Sequence, residues 1–388
     1  MILAAGLLSA ALCVPTLRQA FIYTRHGARA PFVQFPKDRG LWNCGQEELI
    51  SPMTRNDEIQ RPSPGAALVY DVSNTLRGTC YVGQLTHVGL RENEALGARW
   101  FERYSLLTGL VGESFNPEEI RLRSTDIPRV KQSLTAQLRG MYGSSLSMSK
   151  DAPFVHVPEK DKDPLADQSA CTGFSKNQAY LYKKMSPIIS EYSDRLRQVV
   201  DALGYVSEEE DTEYDTWAKV WDNLITRTWL GMALPRQITR QDVLIGGRVA
   251  DLTAQMMYCN DNPEVSLIFT RARIGPYLTE LLDLIGSSER LHITAAHDTT
   301  IMPLMAAFAG RGWDCSWPPY ASHIELQIWQ DGDIALVRLY YQNHMVVPVG
   351  CETTVNCRLE AFLEALRMVA VPYEEWNVAC EASIDELI

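Results

Sequence analysis

The sequence predicts an α/β chain with a mostly helical insertion, on three observations. A short apolar run passes into a charged turn at three places, "FIYTRHGARAP" (21–31), "EEIRLRSTDIPRV" (118–130) and "RLHITAAHDTT" (290–300), and a helix-period segment follows the second and third. Between about 150 and 287 this alternation gives way to helical periodicity. Near the end, "HIELQIWQDGDIALVRLYY" alternates on either side of Asp331-Gly332 and reads as an antiparallel hairpin that closes the sheet. The expected division is therefore a core of residues 15–149 and 288–388 with a helical insertion at 150–287.

The chain opens on "MILAAGLLSAALCVPT", whose apolar run from Ile2 to Val14 has the size of a signal-peptide core and is too short to span a membrane. Residues 1–14 are thus expected to be a signal peptide leading into the secretory pathway. A basic leading segment is missing, so a first buried strand is the competing reading. A mitochondrial presequence is the alternative destination, and it suits the sequence less because Arg18 is the first basic residue.

Phe21-Ile22-Tyr23 combines one β-branched and two aromatic residues, which predicts a buried strand ended by Gly27 and Pro31. Residues 31–83 are punctuated by Pro and Gly and read as surface loops near the strand's exit. The next segment, "GQLTHVGLRENEALGARWFERY", has Thr86 as a cap and Leu96, Trp100 and Tyr104 at helical spacing. Ile120 and Leu122 alternate with arginines as a second strand; Asp126 is the expected N-cap of a helix striped by Val130, Leu134, Leu138 and Met141. Within the insertion, the acidic run Ser207–Asp215 reads as a solvated face, and Tyr277, Leu278, Leu281, Leu282 and Ile285 form a helical stripe.

Composition limits the function classes. A formal charge of −12 over 388 residues argues against nucleic acid as a partner and makes large polyanions poor ligands, while a small anion gripped by arginines stays compatible. Apart from Cys13 there are eight cysteines, with no CxxC pair, which suggests four disulfides rather than a zinc or thioredoxin-like site. No Asn-x-Ser/Thr sequon occurs, and no later run reaches the length of a membrane span. Oligomeric state has no signature in the sequence.

Strand exits in open sheets are where ligands bind, so the three exits collect Arg25, His26, Arg29, Arg123, His297 and Asp298 at one rim. That set suits phosphomonoester hydrolysis without a metal or any other cofactor. Arginines grip non-bridging oxygens, a neutral imidazole attacks in line, and a carboxylic acid protonates the departing alkoxide. His26 between two cations resists protonation, which keeps its lone pair free. Each piece alone is weak: an Arg-His-Gly triplet arises by chance in roughly one such chain in twenty, and a His-Asp pair usually marks a surface turn. Arg121 and Arg123 are both able to line a solvated strand face. Weight rests on the combination at three exits.

In order, RHGARAP (25–31), GQLTHVG (83–89), RSTDIPR (123–129), AAHDTT (295–300) and WPPYAS (317–322) resemble the histidine acid phosphatases. The resemblance covers about residues 20–145 and 290–380. It implies a three-layer α/β/α sandwich with a helical cap, His26 as the phosphorylated nucleophile and Asp298 as proton donor. Arg25, Arg29, Arg123 and His297 are the implied phosphate ligands. It also implies the disulfides Cys351–Cys357 and Cys171–Cys380; the other four cysteines keep three possible pairings, of which Cys44 with Cys80 and Cys259 with Cys315 is the one expected. One departure is Pro128-Arg129-Val130, where many relatives have a non-proline residue followed by Arg-Thr. The branch it is most similar to acts on a lysophospholipid monoester, which makes that the lead substrate. A phosphoglycerate-mutase-like enzyme shares the Arg-His-Gly start but suits the cysteines poorly. A phytase-like inositol polyphosphate phosphatase fits the acidic charge badly. A non-catalytic binding protein on the same fold is the reading from a different class.

Overall fold

The computed structural model describes residues 14–44, 75–143, 153–160, 162–166, 171–206, 211–385 and 387. The proposed leader, apart from Val14, the middle of the 31–83 loop stretch and the first four residues of the acidic run lie outside the described residues.

The described strands form one mixed sheet, and its centre is the strand announced by Phe21-Ile22-Tyr23. This strand, β1 (Thr16–Arg25), lies parallel to β4 (Leu291–Ala296) and antiparallel to β5 (His323–Asp331). Beyond β4 come β2 (Ile120–Ser124) and the short β3 (Val155–His156), both parallel. Beyond β5 come β6 (Ile334–Tyr341) and, on its outer edge, β7 (His344–Val346) and β8 (Cys357–Arg358). The register levels the parallel strands. Arg25 stands opposite Ala296, and Ser124 opposite Ala295, so the residues that follow leave the sheet at one height.

Alternation along β1 divides the core. Ala20 and Ile22 face α1 (His87–Trp100) and α2 (Pro128–Tyr142), whereas Phe21 and Tyr23 face the layer on the other side. In that opposite layer lie α7 (Pro263–Leu284), α8 (Asp298–Ala309), α9 (Leu359–Arg367) and α10 (Trp376–Glu381). The helix after β1 and the helix after β4 therefore go to opposite faces, which opens a crevice between two neighbouring strand ends.

The helices within 150–287 divide between two places. A separate core, built around Trp217, Leu224, Val199 and Val249, joins α3 (Thr172–Ile189), α4 (Ser193–Leu203), α5 (Glu213–Trp229) and α6 (Arg240–Tyr258), and Phe35 plugs into it from the loop after β1. Helix α7 instead covers the sheet, packing Tyr277, Leu278 and Leu281 in the same cluster as Phe21 and Ile324. The stripe read from its sequence is thus a sheet-facing one.

Thr86 caps α1 as expected, accepting from the Gly89 N–H. Asp126 does not cap α2. Pro128, which lacks an N–H, takes the first helical position and leaves extended Ile127 as the cap, while Asp126 binds Lys131 at 2.7 Å. The described end of the acidic run is also more than a solvated face. Thr212 and Asp215 cap α5 reciprocally, and Asp211 holds Lys219 at 2.8 Å. Four disulfides join Cys44–Cys80, Cys171–Cys380, Cys259–Cys315 and Cys351–Cys357. Among the described residues no helix is long and apolar enough to cross a membrane.

Candidate active site

The turn after β1 is held on all sides. The His26 N–H donates to Ala296 O at 3.1 Å and its carbonyl accepts from Ala321 N at 3.1 Å, tying it to the ends of β4 and β5. Gly27 and Gly89 let this turn lie directly on the first turn of α1: a Cβ on either would fall on the other segment's backbone. Ser133 of α2 accepts from Gly27 N at 3.1 Å, and Glu92 of α1 accepts from Ala28 N at 2.9 Å.

His26 is 2% exposed. Its Nδ1 lies 2.9 Å from the Gly27 carbonyl, which only accepts, so Nδ1 carries the proton and Nε2 keeps a lone pair. Burial, then the charges of Arg129 and Arg25, hold its pKa well below the usual histidine value of 6.5. His297, at the N-cap of α8, stands with its ring centroid 5.7 Å from that of His26 and its Nε2 3.0 Å from Thr125 Oγ1. Burial, then Arg129, push its pKa down to about 3.

Arg25 reaches Asp298 at 2.7 Å and donates to Pro318 O at 2.6 Å, with Tyr320 4.2 Å from its guanidinium carbon. Asp298 also accepts from Thr299 N at 2.8 Å and from Trp317 Nε1 at 3.2 Å. Burial works to raise its pKa, but Arg25, Arg29 and His297 outweigh it and leave the carboxyl below its ordinary range. Arg29 pairs with Asp222 of α5 at 2.7 Å.

Arg123 is not brought to this cluster. On β2 the apolar positions Ile120 and Leu122 face α1 and α2, so Arg121 and Arg123 both point to the α7 side. There Arg123, 4% exposed, is bound by Glu280 of α7 and by Asp163 at 2.7 Å. Arg129, in the first turn of α2, occupies the rim in its place. Among the described residues no carboxylate or other acceptor pairs with it. Burial, then Arg29 and Arg25, push its pKa down to about 10, the mark of a cation crowded by cations. A signal for it exists in the sequence, because Pro128 marks the helix start and a cation in a first turn opposes the helix dipole unless an anion joins it. Thr125, Trp317 and Tyr320 lie inside the quoted motifs without a chemical reason in the sequence to single them out, and Asp222 lies in none of those motifs.

A cavity of about 420 Å³ opens over Arg25, Arg29 and Asp298, walled by Phe32, Trp221, Ile225, Trp229, Val249 and Pro319 among others. Trp221 and Trp229 line it, whereas Trp217, one turn earlier on α5, is fully buried in the helical core. Cations, a neutral nucleophile and an ionised carboxylate beside an apolar cavity make a site for a small anion with an apolar attachment.

The profile of the histidine phosphatase superfamily (branch 2) matches residues 16–342. The chain belongs to that branch. It is a histidine acid phosphatase, a hydrolase of phosphoric monoesters. Lysophosphatidic acid phosphatase type 6 of Homo sapiens is 25% identical to this histidine phosphatase over 384 residues, covering 94% of this chain and 86% of the relative. Prostatic acid phosphatase of Bos taurus is 26% identical over 389 residues, covering 94% and 87%. The phytase from Citrobacter braakii shares the fold, with a TM-score of 0.61 over 92% of this chain and 99% of that one at 14% identity.

Five histidines, His26, His156, His292, His297 and His323, have pKa values lowered from 6.5, in each case chiefly by burial. Unfolding frees them to take protons below pH 6.5, whereas the folded phosphatase resists doing so until about 4 for His292 and about 3 for His297. Stability is therefore expected to fall as pH drops from about 6.5 towards 4. Thermal unfolding across that range checks this, and His292→Gln should flatten the slope.

Proposed function

We propose that the protein hydrolyses a phosphomonoester with one phosphate and an apolar body, with a lysophosphatidic acid as the lead substrate. The observation that carries this is the apolar cavity opening directly on Arg25, Arg29 and Asp298. The named substrate of the lysophosphatidic acid phosphatase relatives supports it. The phytase likeness is one of fold, and an apolar cavity is a poor host for an inositol polyphosphate. Four disulfides support maturation in an oxidising compartment, in keeping with the secretory pathway.

In this reading Arg25, Arg29, Arg129 and His297 bind the phosphate. Its arrival draws Arg25 away from Asp298 and adds negative charge beside the carboxyl, which raises the carboxyl's pKa so that it takes up a proton. His26 Nε2 attacks phosphorus in line, and Asp298 gives its proton to the departing alkoxide. Asp298 then removes a proton from the water that attacks the phosphohistidine, and phosphate and free His26 result. Low pH favours the proton on Asp298, and the lowered pKa of His26 keeps the nucleophile neutral there. The working range accordingly lies on the acid side.

Asp298→Ala should reduce turnover far more for alkyl phosphates than for p-nitrophenyl phosphate, whose leaving group needs little protonation; equal losses would remove Asp298 from the acid role. Arg129→Ala should raise KM for phosphomonoesters about ten- to hundredfold, the range of one charge-assisted hydrogen bond. Arg123→Ala should act on stability instead, by about 3–5 kcal/mol in denaturant unfolding, because it strands buried Asp163. Comparing kcat/KM for lysophosphatidates of increasing acyl length with glycerol phosphate and phytate tests the substrate. A rise with acyl length is expected, and a preference for phytate would refute the reading.

A further inference from the structure

Helix α5 turns Asp222, Thr226 and Trp229 towards the rim, at spacings of four and three residues that place them on one face. Each is bonded to a different rim segment. Asp222 Oδ1 holds Arg29 at 2.7 Å and Oδ2 accepts from Phe32 N at 2.8 Å. Thr226 shares a hydrogen bond of 2.9 Å with the Tyr320 hydroxyl. Trp229 donates its indole N–H to Glu92, whose other oxygen accepts from Ala28 N. Both oxygens are bonded and the helix is tied down at the next two turns, which holds the Asp222 carboxylate beside Arg29.

That carboxylate also lines the cavity, with its side chain 17% exposed. The lining cations are Arg25, Arg29 and Lys219, and each has a carboxylate partner, respectively Asp298, Asp222 and Asp211. A single phosphate displaces Asp298 from Arg25 and adds the contact of Arg129. A second anionic group on the same substrate meets mostly apolar walls and a fixed negative charge, and the remaining lining cation, Lys219, is already held by Asp211 at 2.8 Å.

We propose that Asp222 is a specificity-determining residue that restricts the site to esters carrying one phosphate. It draws off part of the charge of Arg29, which is enough for one phosphate, and repels a second anion in a cavity whose walls are mostly apolar. The inference deepens the single-phosphate part of the proposed function and rests on it.

The test compares fructose 6-phosphate with fructose 1,6-bisphosphate, two substrates of one body that differ by one phosphate. In Asp222→Asn and in Asp222→Ser, the ratio of kcat/KM for the bisphosphate to that for the monophosphate should rise about tenfold over the wild-type ratio, as expected on removing a like charge from a binding surface. Asp222→Glu, which keeps the charge, should keep the wild-type ratio. Inorganic phosphate should inhibit the two neutral variants more strongly. An unchanged ratio in whichever neutral variant folds, or an equal rise in Asp222→Glu, would overturn the proposal. Neither readout depends on the acyl-length profile, so the two ideas fail separately.

Discussion

Holding several guanidinium groups together out of bulk water is the constraint on which the rest of the site depends. Arg25, Arg29 and Arg129 repel one another, and each lowers the pKa of a neighbour. Two are held in place by carboxylates, Asp298 and Asp222, which come from opposite sides of the cleft, one at the start of α8 and one from α5. The third has no such partner among the described residues. The cluster is thus incomplete by about one anion, and both imidazoles stay neutral because burial first, and then the arginine charge, disfavours their protonated forms. Affinity for phosphate follows from that deficit.

Much of this is legible in the sequence because it depends on short-range order. Strand exits at Arg25 and Ala296 announce themselves by an apolar run followed by charge, and the structure brings Arg25, His26, Arg29, His297 and Asp298 together at one rim. Arg123 shows where such reading stops. The alternation of a strand says that Arg121 and Arg123 share a face but not which layer covers that face. Only the packing of α7, which supplies Glu280, decides it. Arg129 escapes for a related reason, since its reach depends on where Pro128 starts the helix. Asp222 lies nearly two hundred residues from Arg29 in sequence and meets it only because the helical layer folds over the rim.

The chain divides its labour accordingly. The sheet and its register place the reacting groups, as the level ends of β1, β2 and β4 require, and the helices α5 and α6 supply most of the cavity wall. Helix α5 belongs to both tasks, because its rim-facing residues tie the wall to the turn after β1. A change in that helix therefore reaches the phosphate cluster as well as the part of a substrate that lies beyond it.

The place of β1 at the centre of the sheet sets a problem of timing. Its neighbours begin at Leu291 and His323, so Ala20 waits for a partner about 270 residues further along the chain. At a typical rate of synthesis that is a delay of roughly 15–50 s, during which Phe21, Ile22 and Tyr23 have no sheet to join. Non-local pairing of this kind is slow to close and exposes an unpaired apolar strand to aggregation. A nascent chain of this protein depends on being shielded until its last third has emerged.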